Sequence, residues 1–469
     1  MTQTVQLPLW LFILIVLFAA VTALSHFLLP SVRWFFRRRF ERAVTQLNTR
    51  LKRPIQPFKL ARRYDMIQRL IYDPEVSREI SIYAEANNVP ENVAFQKAQT
   101  YAREIVPSFS AFAYFSFAMR VAKFLAEFVY RIRTAPQNDV VFSAIPKDAT
   151  AVFVMNHRSN MDYVLVTYLA SKNSTLSYAV GEWARVWPLS SLIRLWGAYF
   201  IRRRSRGALY RKVLSRYVQM ATAGGDTQAF YPEGGLSLTG RLQPPKVGLL
   251  SYLVDGFQLE GPRDLVFVPV AINYDRVLED RVLMAAHARG DRRFGARISV
   301  VVAFVMRKFW QRLRGHDTRY GTAAVAFGDP VSLRAYGAVD DVEQLSAELM
   351  GRIEAVMPVL GVPLVAQALL AQGPLDADTL EFEVAKILAL VPQESIAIDT
   401  DNLSAEIARA CKHMAQHELI EQKGDIWRIL PDQQIAMQFY ANSIAHYLPE
   451  NDRIPDAAPA KKISAPAGS

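Results

Sequence analysis

The chain has 469 residues, with 55 Lys and Arg against 44 Asp and Glu and a formal net charge of +11. Residues 31 to 63 hold eleven Lys and Arg and a single acid, Glu41, so nearly all of the excess sits in one stretch. That concentration argues against a nucleic-acid-binding protein; one cysteine, Cys411, excludes an intrachain disulfide framework and suits a reducing compartment.

Residues 7 to 29, LPLWLFILIVLFAAVTALSHFLL, carry no formal charge. As a helix they would be roughly 35 Å long, enough for a ~30 Å hydrocarbon core. A cleaved signal peptide would begin with cations; residues 1 to 6 have none, and Arg33, Arg37, Arg38, Arg39 and Arg42 follow instead. The expected organisation is a single-pass anchor over 1–32 in the cytoplasmic (inner) membrane, with the body facing the cytoplasm. The basic stretch that follows, with Trp34, Phe35 and Phe36 among its arginines, suits an anionic lipid surface. Residues 64 to 104 read as helices broken at IYDPE and NNVPEN. The uncharged, Phe-rich run 105–119 is short for a second span. With RVAKFLAEFVYRIR after it, it suggests an interfacial amphipathic helix, or failing that an ordinary core helix. Together these form a basic and helical region over 33–145.

From 146 to 355 the pattern alternates. Apolar strand-like runs at 151–155, 198–201, 227–231, 265–270, 298–305 and 322–327 are separated by helical stretches such as 206–222 and 245–257. That alternation predicts an α/β domain. Residues 356 to 450 lose the strand signal and read as short helices, and an Ala-, Pro- and Lys-rich tail, 451–469, reads as disordered.

The chemistry concentrates in AVFVMNHRSNMDYVLVTYLA, residues 151 to 170. A buried strand ends at Met155, and His157 and Asp162 fall in the turn and first helical turn beyond it. A neutral imidazole is a natural general base near pH 7, and a carboxylate on its other nitrogen fixes the tautomer and stabilises the imidazolium. No protein nucleophile accompanies the pair, so the attacking group would arrive with the substrate. His413 and His417 stand at i, i+4 without a third ligand nearby, and no metal site is expected.

Downstream come GAYFIRRR (197–204), FYPEGGLSLTGR (230–241) and FVPVAINYDRV (267–277). In this order the four stretches resemble the blocks of the glycerolipid acyltransferases, the first being a His, four residues, then an Asp. HRSNMDYVL, the IRR triplet and the Glu-Gly-Gly turn resemble the glycerol-3-phosphate acyltransferases within that group. MQFYANSIAHYL, 437–448, is similar to their C-terminal signature. The resemblance implies an α/β fold, a mixed sheet flanked by helices, and acyl transfer from a thioester to the sn-1 hydroxyl of glycerol-3-phosphate. His157 would be the base and Asp162 its partner. Arg202 and Arg203 would hold the phosphate, and Glu233, Gly234 and Gly235 would place the acceptor. Leu236 and Leu238 stand where the family usually has arginines, which leaves Arg241 and Lys246 as the nearby cations. Val268 and Pro269 would wall the acyl pocket. No cofactor is implied beyond the donor, carried on coenzyme A or acyl carrier protein; the partners are these substrates and membrane lipids, not nucleic acid. Lysophosphatidate or dihydroxyacetone phosphate as acceptor, or a non-catalytic lipid-binding protein, are the alternatives.

Overall fold

The computed structural model describes residues 8–19, 42, 44–49, 51–134, 138–170, 174–181, 189–202, 207–289, 310, 314, 319–337, 339 and 341–455. Two units, 1–55 and 56–469, divide the chain. In the first, residues 9–19 are helical. Most of the remainder of the expected anchor, and the basic stretch up to Glu41, lie outside the described residues. Among the described residues no helix is long and apolar enough to cross a membrane.

The second unit is built on a mixed sheet. Its strands are β1 (Arg131–Thr134), β2 (Thr150–Met155), β3 (Ser177–Gly181), β4 (Tyr199–Ile201), β5 (Gln228–Phe230), β6 (Leu265–Tyr274), β7 (Thr322–Phe327) and β8 (Val331–Ser332). Their order is β1-β7-β6-β2-β5-β3-β4, with β8 pairing β6. β6, β2, β5, β3 and β4 run parallel, whereas β7 and β8 are antiparallel to β6. Every residue of β2 and β6 is buried, as expected of central parallel strands covered on both faces. The side-chain period of two splits the core. Phe153 and Met155 of β2 join Val266, Val268, Val270, Ile272 and Tyr274 of β6 on one face. Val152, Val154, Leu265, Phe267 and Ala271 line the other. Helix Met161–Ala170 covers the first face and helix Ala208–Ala223 the second.

Three expected helices form at Arg63–Ile71, Pro74–Ala86 and Glu91–Ile105, broken where the sequence places Pro and Asn. Asp73 caps the second by accepting Glu75 N–H at 3.0 Å. The Phe-rich run becomes a π turn, Tyr114–Ala118, leading into helix Met119–Val129. Tyr114, Ala118, Ala122 and Ala126 are buried, the helix packing mainly on helix Met161–Ala170, while Phe117 and Phe124 stay more than half exposed.

Three expectations need correction. The cationic end of RVAKFLAEFVYRIR is not helical: the helix stops at Val129, and Arg131–Thr134 pairs as edge strand β1 with β7. Pairing overrides a helical charge spacing that any edge strand with outward cations can imitate. The C-terminal region is helical except for a three-stranded sheet of β9 (Leu375–Asp376), β10 (Ile420–Lys423) and β11 (Ile426–Ile429), in the order β10-β11-β9. Gly424, at φ +62°, turns the β10–β11 hairpin, whose strands of four residues each are too short to give a clear apolar alternation. The stretch from 451 to 455 is not disordered as expected, since Glu450–Asp452 forms a 3₁₀ turn and Arg453 Nε donates to Leu448 O at 3.0 Å. Residues 456–469 and the strand-like run 298–305 lie outside the described residues.

Candidate active site

Asn156 continues β2 by its side chain. It donates Nδ2–H to Ile272 O at 2.9 Å and accepts Ile272 N–H at 2.7 Å. The chain then turns sharply, and His157 is fixed through its main chain as well. Its N–H donates to Glu233 Oε1 at 2.7 Å, and its carbonyl accepts Ser237 N–H at 2.9 Å.

The imidazole Nδ1 lies 2.9 Å from Asp162 Oδ2. His157 is 1% exposed and Asp162 0%. The same carboxylate oxygen accepts the N–H groups of Arg158 at 2.8 Å and Ser159 at 3.1 Å, in the turn that leads into the helix. Its other oxygen accepts the Tyr274 hydroxyl at 2.5 Å. With Asp162 as its acceptor the imidazole carries its proton on Nδ1, which leaves Nε2 as the basic nitrogen. The ring stacks on Tyr231, with centroids 4.0 Å apart, and meets Tyr163 edge-on. Glu279 holds the rest of the turn, accepting Ser159 Oγ–H at 2.7 Å and both the N–H and the side-chain amide of Asn160.

Glu233 is buried, and its oxygens are taken by the main chain of His157 and, at 2.9 Å, of Gln243. It therefore fastens the third block to the first. Burial pushes its carboxyl up to about 7, against the pull of those two N–H donors and of Arg158. Arg158 is itself buried, and its guanidinium is lowered to about 10 by desolvation, partly offset by Glu233 and Asp162.

Gly234 takes φ +66°, and the Lys246 side chain lies across it where a Cβ would meet Cδ at 2.9 Å. Gly235 follows in the same turn and is half-buried. Leu236 and Leu238 are both buried in the core beside Tyr231. Arg202 is committed elsewhere: Nε and Nη2 form a bidentate pair with Glu104 at 2.8 and 2.7 Å, and the guanidinium lies near the rings of both Tyr101 and Tyr210. Arg203 and Arg204 lie outside the described residues. Arg241 donates Nη2–H to Ile454 O at 3.1 Å. Val268 and Pro269 cannot wall one pocket, because consecutive strand residues face opposite sides. Val268 packs on the face shared with Tyr274, and Pro269 follows the parity of Phe267 and Ala271 on the other.

An apolar cavity of about 170 Å³ lies elsewhere on the His157 face, between helix Met119–Val129, helix Met161–Ala170, strand β3 and the segment from Ile193 to Ala198 that leads into β4. Ala118, Ala122, Leu125, Val164, Tyr178 and Trp196 line it, and Asn160 and Tyr163 bring it to the turn that carries His157. Sequence reasoning missed this cavity, and also Asn156, Tyr231, Tyr274 and Glu279. The period-two spacing of Val268, Val270, Ile272 and Tyr274 was the available signal for Tyr274.

The C-terminal signature closes over the third block. Asn442 Nδ2–H donates to Thr239 O at 2.9 Å, and Ser237 Oγ accepts Gly240 N–H. Gly240 sits at φ +83° against Phe439, whose carbonyl oxygen would lie 1.8 Å from an added Cβ. Gly240→Ala is accordingly expected to destabilise the protein by roughly 2–4 kcal/mol, through a strained φ and a backbone clash. Chemical denaturation checks this, and an unchanged midpoint would show that the two segments are not held together.

These features define an acyltransferase-type domain: a His and Asp paired across a strand-to-helix turn, locked to a glutamate-glycine loop. Residues 139–273 match the acyltransferase family model, and 308–450 match that for the glycerol-3-phosphate acyltransferase C-terminal region. The two matches lie side by side in this chain, and the second resembles the glycerol-3-phosphate acyltransferases in particular. It is 27% identical over 441 residues to the glycerol-3-phosphate acyltransferase of Xylella fastidiosa, covering 87% of this chain and 50% of that protein. It is 26% identical over 446 residues to that of Xanthomonas axonopodis pv. citri, covering 87% and 48%. The chain thus spans about half the length of these curated relatives. The crystal structure of the 1-acyl-sn-glycerophosphate acyltransferase from Thermotoga maritima aligns with a TM-score of 0.32 and 19% identity, over 51% of this chain and 76% of that one.

Proposed function

We propose that the protein transfers an acyl group from a thioester to the sn-1 hydroxyl of glycerol-3-phosphate, giving lysophosphatidate. The observation that carries this reading is the buried His157–Asp162 pair, 2.9 Å apart, in the turn where an apolar cavity ends. His157 Nε2 takes the proton of the acceptor hydroxyl as its oxygen attacks the thioester carbonyl. The tetrahedral intermediate collapses with loss of the thiolate, and the imidazolium returns the proton to the leaving sulfur. Asp162 stabilises the imidazolium throughout. A thioester is already activated, so no acyl-enzyme is needed.

Acceptor phosphate would be held by cations around the third block, with Arg241, Lys246 and Arg203 as candidates. Arg202 serves this role poorly while it is paired with Glu104. The donor is an acyl thioester of coenzyme A or acyl carrier protein, its chain lying in the apolar cavity. Residues 7–29 would anchor the protein in the inner membrane, with the basic stretch on the lipid surface and the catalytic unit in the cytoplasm.

Labelled glycerol-3-phosphate, purified protein and both donor types test the reaction, with the product identified by mass. Lysophosphatidate is the expected product; consumption of lysophosphatidate with glycerol-3-phosphate inert would overturn the choice of acceptor. Ala122→Trp tests the cavity. Filling it should lower kcat/KM for long-chain relative to short-chain donors by about tenfold or more, since each methylene of fit is worth 1–3 kcal/mol. An unaltered chain-length profile would put the acyl chain elsewhere.

A further inference from the structure

Tyr274 is the last residue of β6 and is 1% exposed. Its hydroxyl donates to Asp162 Oδ1 at 2.5 Å, on the carboxylate oxygen that does not face His157. The ring is fixed by Tyr130, with centroids 5.0 Å apart, and Tyr130 is in turn tied by its hydroxyl to Arg276 O at 2.9 Å. We infer that Tyr274 is a positioning residue that acts on His157 through Asp162, and that its hydroxyl sets the pH above which the base is competent. The inference rests on the acyl-transfer reading above.

The physical argument concerns how one carboxylate shares its charge. Oδ2 serves the imidazole and two main-chain N–H groups, and Oδ1 serves the phenol. A donor on Oδ1 draws charge away from Oδ2 and weakens its hold on the imidazolium. The phenol is a dependable donor, because burial and the neighbouring Asp162 push it well above the ordinary tyrosine range. The other groups facing the pair are Arg158 and Glu233 from the first and third blocks, Glu279 behind Ser159 and Asn160, and the neutral rings of Tyr163 and Tyr231. None of them contacts Oδ1 in the way the Tyr274 hydroxyl does, and Tyr274→Phe leaves all of them in place.

Without the hydroxyl, Asp162 binds the imidazolium more tightly, so His157 holds its proton to higher pH. Neutral imidazole is the active form; hence the acid limb of the kcat/KM profile moves upward. The expected shift for Tyr274→Phe is roughly half a unit to one unit, the scale of one hydrogen bond to a charged group felt at second hand, with both KM values unmoved. The NMR titration of the His157 ring, assigned with His157→Gln, should shift in the same direction. That readout needs no turnover, so it separates failure of this inference from failure of the acyl-transfer reading. Fluorotyrosine at 274, a stronger donor, should move limb and titration the opposite way and guards against a misfolded Phe variant. A uniform loss of rate with limb and titration unmoved would leave Tyr274 a packing residue only, and a downward shift in Tyr274→Phe would reverse the argument.

Discussion

His157→Ala is expected to lower turnover by at least ~10²-fold, the lower end of general-base contributions, while the protein stays folded. Folding survives because His157 holds the loop through its main chain, to Glu233 and Ser237, and these contacts do not involve the imidazole. Asp162 likewise keeps Arg158 N–H, Ser159 N–H and the Tyr274 hydroxyl when the ring is gone. Asp162→Asn should be comparably severe, on the order of 10²-fold or more, since the amide preserves shape but removes the charge that the imidazolium needs. Turnover should be measured beside a thermal melt. Near-normal turnover in a well-folded His157→Ala protein would rule out the base mechanism.

Glu233→Gln should be the next most damaging change, for a different reason. The carboxylate accepts one main-chain N–H on each oxygen, and a glutamine can accept on only one of its two side-chain atoms. Either His157 or Gln243 then loses its acceptor in a buried site, at a cost of about 1–3 kcal/mol. A displaced His157 main chain misaligns the base, and a shift near 1 Å can lower turnover by about 10²-fold. The pH dependence of stability has a definite sign. The Glu233 carboxyl is raised to about 7 in the folded protein, so between its ordinary value and about 7 the folded state holds a proton that the unfolded chain has lost. Stability therefore falls as pH rises through that window. Glu233→Gln should flatten this fall, measured as denaturation midpoints between pH 4.5 and 7.5. An unchanged slope together with full activity would show that the carboxylate neither titrates there nor anchors the base.

The four ordered blocks, the α/β alternation and the His157–Asp162 spacing could all be read along the chain, because each is local. β7 forms over Thr322–Phe327 as its apolar run predicts, and the strand-turn-helix around His157 follows from a buried run ended by Asn156. What tertiary structure alone decided is how distant residues share one carboxylate and one loop. Tyr274 reaches Asp162 across 112 positions, and Asn442 reaches Thr239 across 203. No periodicity carries such contacts; they arise when β6 pairs with β2 and the C-terminal segment packs over the third block. The same cause redirected four expected site residues. Arg202 found Glu104, Glu233 found main-chain N–H groups, and Val268 and Pro269 were parted by the pleat. Residue type and spacing determine which chemistry a chain can host, whereas burial and the nearest available partner decide which of those residues remain to do it.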